Sequence, residues 1–127
     1  MLDMFNQSNP LKGLQPVADI EQLLAAQEAV TKVHVDGHLN GYIVNIVRAT
    51  REHPDVALGG SPRASLCLYR AAQAWALYNL RDFVIPDDVV KMAVPVLEHR
   101  LVLRQEARLK RIQPEFIIND ILRNLRV

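Results

Sequence analysis

The 127-residue sequence contains one cysteine, Cys67, so it cannot close an internal disulfide, and its thiol usage fits a reducing compartment. It contains no apolar run near the ~18–20 residues a membrane-spanning helix requires. Met1 to Pro10 lacks the basic start and apolar block of a secretory signal. It has almost no surplus charge of either sign, and a net charge of +1 argues against a dedicated nucleic-acid binder. Two phosphate-binding signatures are also missing. There is no Gly-x-x-x-x-Gly-Lys-Ser/Thr loop and no Gly-x-Gly-x-x-Gly turn, so the chain is not expected to hydrolyse a nucleotide unaided. These absences lead to the expectation of a cytoplasmic protein with no membrane span and no bound metal.

What is present describes a globular domain: half the residues are apolar and 23% are charged. Residues 1–18 carry Asn9-Pro10, Gly13 and Gln15-Pro16, the punctuation of an extended lead-in segment. Residues 19–127 read as helices. Asp19 and Gln22 form a capping-box pattern, and Ile20, Leu23, Leu24, Ala26, Val30 and Val33 follow at helical spacing, so one face seeks a partner. A second helix follows Asp36, with Leu39, Tyr42, Ile43, Ile46 and Val47 three and four apart, and closes at His53-Pro54. Residues 55–60 read as a loop ending in Gly59-Gly60.

A longer third helix runs from about Pro62 to Leu80, and its alanine-rich middle (Ala71, Ala72, Ala74, Ala76) invites a close neighbour. Arg81 to Ile85 is short and β-branched. Pro86, Asp87 and Asp88 suit the first turn of another helix, although Ile85 cannot cap it with its side chain. Pro95 is expected to kink or split that helix before Val96 to Leu103, and a last helix starts near Pro114. The fold class is all-α, a small bundle of four to five helices with at most a very short strand near 82–85.

Few residues carry chemistry. His34 and His38 have a metal-ligand spacing, but Asp36-Gly37 between them marks a helix start, so the pair reads as two surface histidines. Cys67 lies within the alanine-rich helix and reads as a small core thiol. Arg100, Arg104, Arg108, Lys110 and Arg111 could share one face if a helix ran unbroken from 96 to 111. Glu98 and Glu106 interrupt the charge, and no aromatic is interleaved for base stacking, so a solvated face or a protein interface fits better than a phosphate-tracking groove.

The stretch GGSPRASL is different. Ser61 is an N-cap candidate whose hydroxyl could accept from the amide of residue 63 or 64, Pro62 presets the first helical φ, and Gly59 and Gly60 let the backbone turn sharply. Arg63 then projects from the first turn, where the helix dipole disfavours a cation by ~0.3–1 kcal/mol. An anion at the helix start would reverse that sign, because free amides and guanidinium would both face it. Spacing alone leaves a plain solvated arginine open as the alternative.

The run GGSPRASLCLYRAAQAWAL, followed by RDFVIPDDVVKMAVPVLEHRLVL, resembles the C-terminal lid domain of MoxR-type AAA+ ATPases. NPLKGLQPV, VTKVHVD and HLNGYIVNIVRATREHPDVALG resemble the earlier part of the same lid, so the likeness spans about residues 6–125. The resemblance implies a helical domain that packs over Mg-ATP bound by a larger N-terminal ATPase core, with 1–18 as the lead-in from that core. It implies that Arg63 is the sensor-2 arginine reaching the γ-phosphate, that Ser61 and Pro62 set its geometry, and that Tyr42 and Ile43 wall the adenine. It further implies assembly into a ring, commonly a hexamer, chaperone-like remodelling with von Willebrand factor A partners, and contacts to neighbouring subunits through the basic face near Arg104 and Arg108. Two positions depart from the family pattern: Ile85 stands where a capping Ser or Thr is common, and Asn79-Leu80 replaces a Gly-containing turn.

Two other functions fit the residues. A stand-alone helical DNA-binding or histone-like module would show steeply salt-dependent DNA affinity. A protein-interaction adaptor would pair Arg63 with a partner's carboxylate.

Overall fold

The computed structural model describes residues 14–125. Most of the expected lead-in, including Asn9-Pro10 and Gly13, lies outside the described residues. Among the described residues there are six helices and one two-stranded ladder: α1 (Ile20–Lys32), α2 (Gly37–Glu52), β1 (Val56–Leu58), α3 (Pro62–Tyr78), α4 (Pro86–Leu97), a 3-10 turn (Glu98–Arg100), β2 (Val102–Leu103), α5 (Gln105–Leu109) and α6 (Pro114–Asn124). The mostly helical class is as expected, with the short α5 as an additional helix. No helix among the described residues is long and apolar enough to cross a membrane.

The hydrophobic core lies between α2, α3, α4 and α6, around Ile46, Val47, Leu68, Leu97 and Ile118, none more than 2% exposed. Ala64, Ala72 and Ala76 of α3 and Ala93 of α4 are fully buried, and this pair of helices makes the most extensive packing in the molecule. Small side chains at those positions let the two backbones approach, so replacing one with a larger residue would overpack the seam. Gln73, 1% exposed, ties the middle of α3 to the end of α1 by donating from Nε2 to the Val33 carbonyl at 2.7 Å. Its Oε1 accepts from Arg70, so the buried amide is satisfied at both ends.

Both expected helix starts are made. The Asp19 carboxylate accepts from the Gln22 amide at 2.7 Å while Gln22 Oε1 accepts from the Asp19 amide, and the Asp36 carboxylate accepts from the His38 amide. The apolar face of α1 is covered only towards its C-terminal end, where Val30 is half-buried and Val33 is buried against α3, while Ile20, Leu23 and Leu24 are 57–76% exposed among the described residues.

Three local expectations need correction. Residues 55–60 are not all loop, because Val56–Leu58 pairs antiparallel with Val102–Leu103. Pro95 does not split α4, which continues to Leu97 and tightens into the 3-10 turn. The chain is extended by Leu101, because Val56, Leu101 and Leu103 bury their side chains in the common core. No helix therefore runs from 96 to 111, and the basic residues do not share one helical face. Around 82–85 there is one isolated parallel bridge, His34 to Phe83, with the His34 amide donating to the Asp82 carbonyl and the Val84 amide to the His34 carbonyl.

The turn between α3 and α4 shows how the two departures from the family pattern are accommodated. The Arg81 amide bonds back to the Ala76 carbonyl and the Leu80 amide to the Leu77 carbonyl, the double closure of a Schellman motif. Leu80 therefore occupies the left-handed position that favours glycine, with φ 59° and its side chain 94% exposed. At the start of α4, Ile85 makes no side-chain cap, but its amide donates to the Asp88 carboxylate at 2.9 Å. That carboxylate, 2% exposed, also receives two hydrogen bonds from the Arg81 guanidinium at 2.6 and 2.7 Å. Burial raises the Asp88 pKa, but the Arg81 and Ile85 hydrogen bonds outweigh it and hold the carboxyl below its ordinary value.

Candidate functional site

The loop before α3 is fastened to the last turns of α2. The buried Thr50 hydroxyl donates to the Val47 carbonyl at 2.6 Å and accepts from the Gly60 amide at 2.9 Å. A Cβ on Gly60 would lie 3.0 Å from a Val47 methyl, and one on Gly59 would lie 2.7 Å from the Arg51 backbone. Neither glycine has a positive φ, so the expected role in a sharp turn is replaced by another. Gly59 runs against the α2 backbone with no room for a side chain, and Gly60 sits tightly against the Val47 side chain.

α3 then begins with Ser61 at the N-cap and Pro62 as its first residue. The expected hydroxyl cap is not formed: Ser61 contributes its extended backbone (φ −76°, ψ 167°) and its carbonyl, which accepts from the Ala64 amide at 2.8 Å. No acidic residue lies in this first turn. The positive end of α3 therefore carries no anion of its own, and the exposed Arg63 adds a cation there. Ala64 is fully buried one residue later and anchors the turn that carries Arg63.

Beside this helix start, α2 and α3 leave an apolar groove of about 280 Å³ lined by Asn40, Ile43, Val44, Ser65, Leu66 and Tyr69. Leu66 and Val44 are 68% and 51% exposed at its edges. Ile43 lines the groove, whereas Tyr42 is buried in the hydrophobic core, which raises its phenol pKa by desolvation, and it is not among the groove residues. Ser61, Pro62 and Arg63 share one turn, and Ser65, Leu66 and Tyr69 continue along the same helix. Sequence reasoning did not single out Val44, Leu66 or Tyr69 for this surface. The signal available was spacing: Asn40 and Val44 are four apart on α2, and Leu66 and Tyr69 three apart on α3, outside the buried stripe.

The remaining candidates lie elsewhere. His34 is in the bridge before α2 and His38 in its first turn, so they do not share a helix. Cys67 is half-buried, its Sγ 3.6 Å from Arg100 Nη2. Arg104, Arg108, Lys110 and Arg111 surround α5, away from the α2–α3 groove.

Residues 48–121 match the family described as AAA lid domain. The whole chain is 42% identical to the Bacillus subtilis protein YeaC, of which it covers 40%. It is 41% identical over 112 residues to the chaperone MoxR1 of Mycobacterium tuberculosis, matching 81% of this chain and 30% of that protein. Among solved structures, a candidate ATPase from Cytophaga hutchinsonii superimposes with a TM-score of 0.75 at 35% identity, over 78% of this chain and 33% of the other. The chain thus spans two fifths or less of the length of these relatives.

Proposed function

The chain belongs to the AAA lid domain family, and on that premise we propose that it serves as the C-terminal lid of a MoxR-type ATPase and contributes Arg63 as sensor 2. One observation carries the reading. Arg63 is an exposed cation in the first turn of a helix that has neither an acidic residue nor a side-chain cap to offset its dipole, on a loop fastened to α2. A negatively charged phosphate placed there meets both the guanidinium and the helix amides.

The groove fits the complementary part of a nucleotide. Its lining is apolar with two polar groups, and about 280 Å³ falls at the lower bound of small-molecule sites. It can wall a base and exclude water from one face, but it cannot enclose a whole nucleotide. The rest of the site therefore belongs to a partner, and we assign that part to an N-terminal ATPase core joined through residues 1–18. Residues 19–127 form the lid, and the N-terminal part of α1's apolar face (Ile20, Leu23, Leu24), exposed among the described residues, is a surface such a core could bury.

Within the site, Ile43, Val44, Leu66 and Tyr69 face the adenine, with Tyr42 supporting the same helix from the hydrophobic core. Pro62 and the Ser61 backbone hold the first turn, and Arg63 neutralises and positions the terminal phosphate. Bound Mg-ATP supplies the phosphoryl group transferred to water. Because Arg63 sits on the lid, its contact would favour a closed arrangement by differential affinity. The complete protein would be a cytoplasmic ring, a hexamer, acting as a chaperone-like remodeller with a von Willebrand factor A partner.

The test is Arg63→Ala in the full-length protein. ATP turnover is expected to fall on the order of 10²-fold, as when one transition-state donor is removed, while far-ultraviolet circular dichroism is unchanged. Unaltered kcat and KM across ATP concentrations would overturn the sensor-2 role.

A further inference from the structure

The positive charge of this protein is unevenly placed. Residues 100–111 hold five of the fifteen Lys and Arg residues and one of the fourteen acids, Glu106. Ten cations against thirteen acids remain elsewhere, so the rest of the chain is net −3 while this segment is net +4. Arg104, Arg108, Lys110 and Arg111 are all exposed, and none enters an ion pair among the described residues.

Two of these cations, Arg108 and Arg111, border a second groove. About 400 Å³ in volume, it has an apolar lining of Leu101, Leu103, Ile112 and Pro114, with Arg108 and Arg111 as its charged members. α5 ends there in a Schellman motif, the Ile112 amide donating to the Ala107 carbonyl and the Arg111 amide to the Arg108 carbonyl. Arg111 occupies the left-handed position of that motif, φ 58°. Glycine is the residue favoured there, so the chain holds a strained arginine at the mouth of an apolar groove.

We propose that this groove docks a segment of another protein in which acidic residues flank an apolar anchor. The apolar lining provides a seat for one or two side chains. The exposed guanidiniums of Arg108 and Arg111 select carboxylates on either side, and Arg104 and Lys110 extend the attracting field. Phosphate-tracking is the weaker alternative, because the groove is lined by aliphatic side chains and presents no aromatic face for base stacking. The site is separate from the Arg63 surface and does not depend on the nucleotide reading.

The test uses the 127-residue chain and a fluorescein-labelled peptide in which glutamates flank leucines, followed by anisotropy. Saturable binding is expected, weakening about tenfold in Arg108→Glu/Arg111→Asn and again as salt rises toward 1 M. Asparagine is chosen at 111 because it tolerates the left-handed conformation. If that variant loses its fold by circular dichroism, Arg104→Glu/Arg108→Glu, both at exposed positions, carries the same expectation. A leucine-free glutamate peptide is expected to bind several-fold more weakly. Equal affinity for the leucine-free peptide, unchanged binding in a folded variant, or tighter binding of single-stranded DNA would each overturn the proposal. So would sedimentation showing self-association that the variant abolishes, since a second copy would then be the occupant.

Discussion

A Cβ on Gly59 would lie 2.7 Å from both the Cα and the amide nitrogen of Arg51, so the loop that presents Arg63 rests directly on the backbone of α2. The contact is to main chain rather than to the end of a flexible side chain, and it cannot be relieved by a rotamer change.

Gly59→Ala is therefore expected to destabilise the protein. Restricting the unfolded chain contributes ~0.4–1 kcal/mol in favour of alanine, but forcing the loop off α2 costs roughly 1–3 kcal/mol. A lower urea midpoint at constant m-value would bear this out, and a raised midpoint would contradict it.

Thr50→Val tests the second fastening. Valine keeps the shape but removes the oxygen that accepts from the Gly60 amide at 2.9 Å, leaving a buried N–H without a partner. The expected loss is about 1–3 kcal/mol. Hydrogen exchange at Gly60 should accelerate more than at core amides of α4, which separates local loosening from global unfolding.

The Arg81–Asp88 pair gives stability a defined pH dependence. Asp88 titrates below its ordinary value in the fold, so its contribution is complete above about pH 4, the unfolded carboxyl range, and is lost as pH falls through the folded pKa. Asp88→Asn should lower stability near neutral pH by about 2 kcal/mol and remove that part of the acid dependence. Urea unfolding of both proteins between pH 7 and pH 3 reads the difference, and parallel curves would contradict it.

Leu80→Gly is expected to stabilise the protein. Leu80 has φ 59° and a side chain 94% exposed, so the substitution relieves left-handed strain and gives up little burial. A gain of about 1 kcal/mol corresponds to a rise of roughly 3–5 °C in Tm for a chain of this size. A lower Tm in calorimetry would show that Leu80 packs more usefully than its exposure indicates.

Much of the helical frame was legible in the residues. Asp19 with Gln22, Asp36, and the prolines at 62, 86 and 114 mark helix starts that the structure reproduces, because capping and a preset φ act within a single turn. The lid family was legible too, in GGSPRASL and its continuation, which lie within the matched residues 48–121. The β1–β2 ladder was not. Val56 and Leu103 pair across a long stretch of chain, and neither strand is long enough to show alternation.

At the candidate site, the residues alone determined that Pro62 opens a helix and that Arg63 projects from its first turn, since both follow from local backbone chemistry. Only the tertiary structure decided why Gly59 and Gly60 are there, which groove lies along α3 after Arg63, and that Ile43 rather than Tyr42 lines it. It also broke the basic stretch off any single helix and placed Arg108 and Arg111 on an apolar groove. Those outcomes depend on which surfaces meet, and the meeting of α2 with the loop, or of β1 with β2, is settled by burying side chains from distant parts of the chain in one common core.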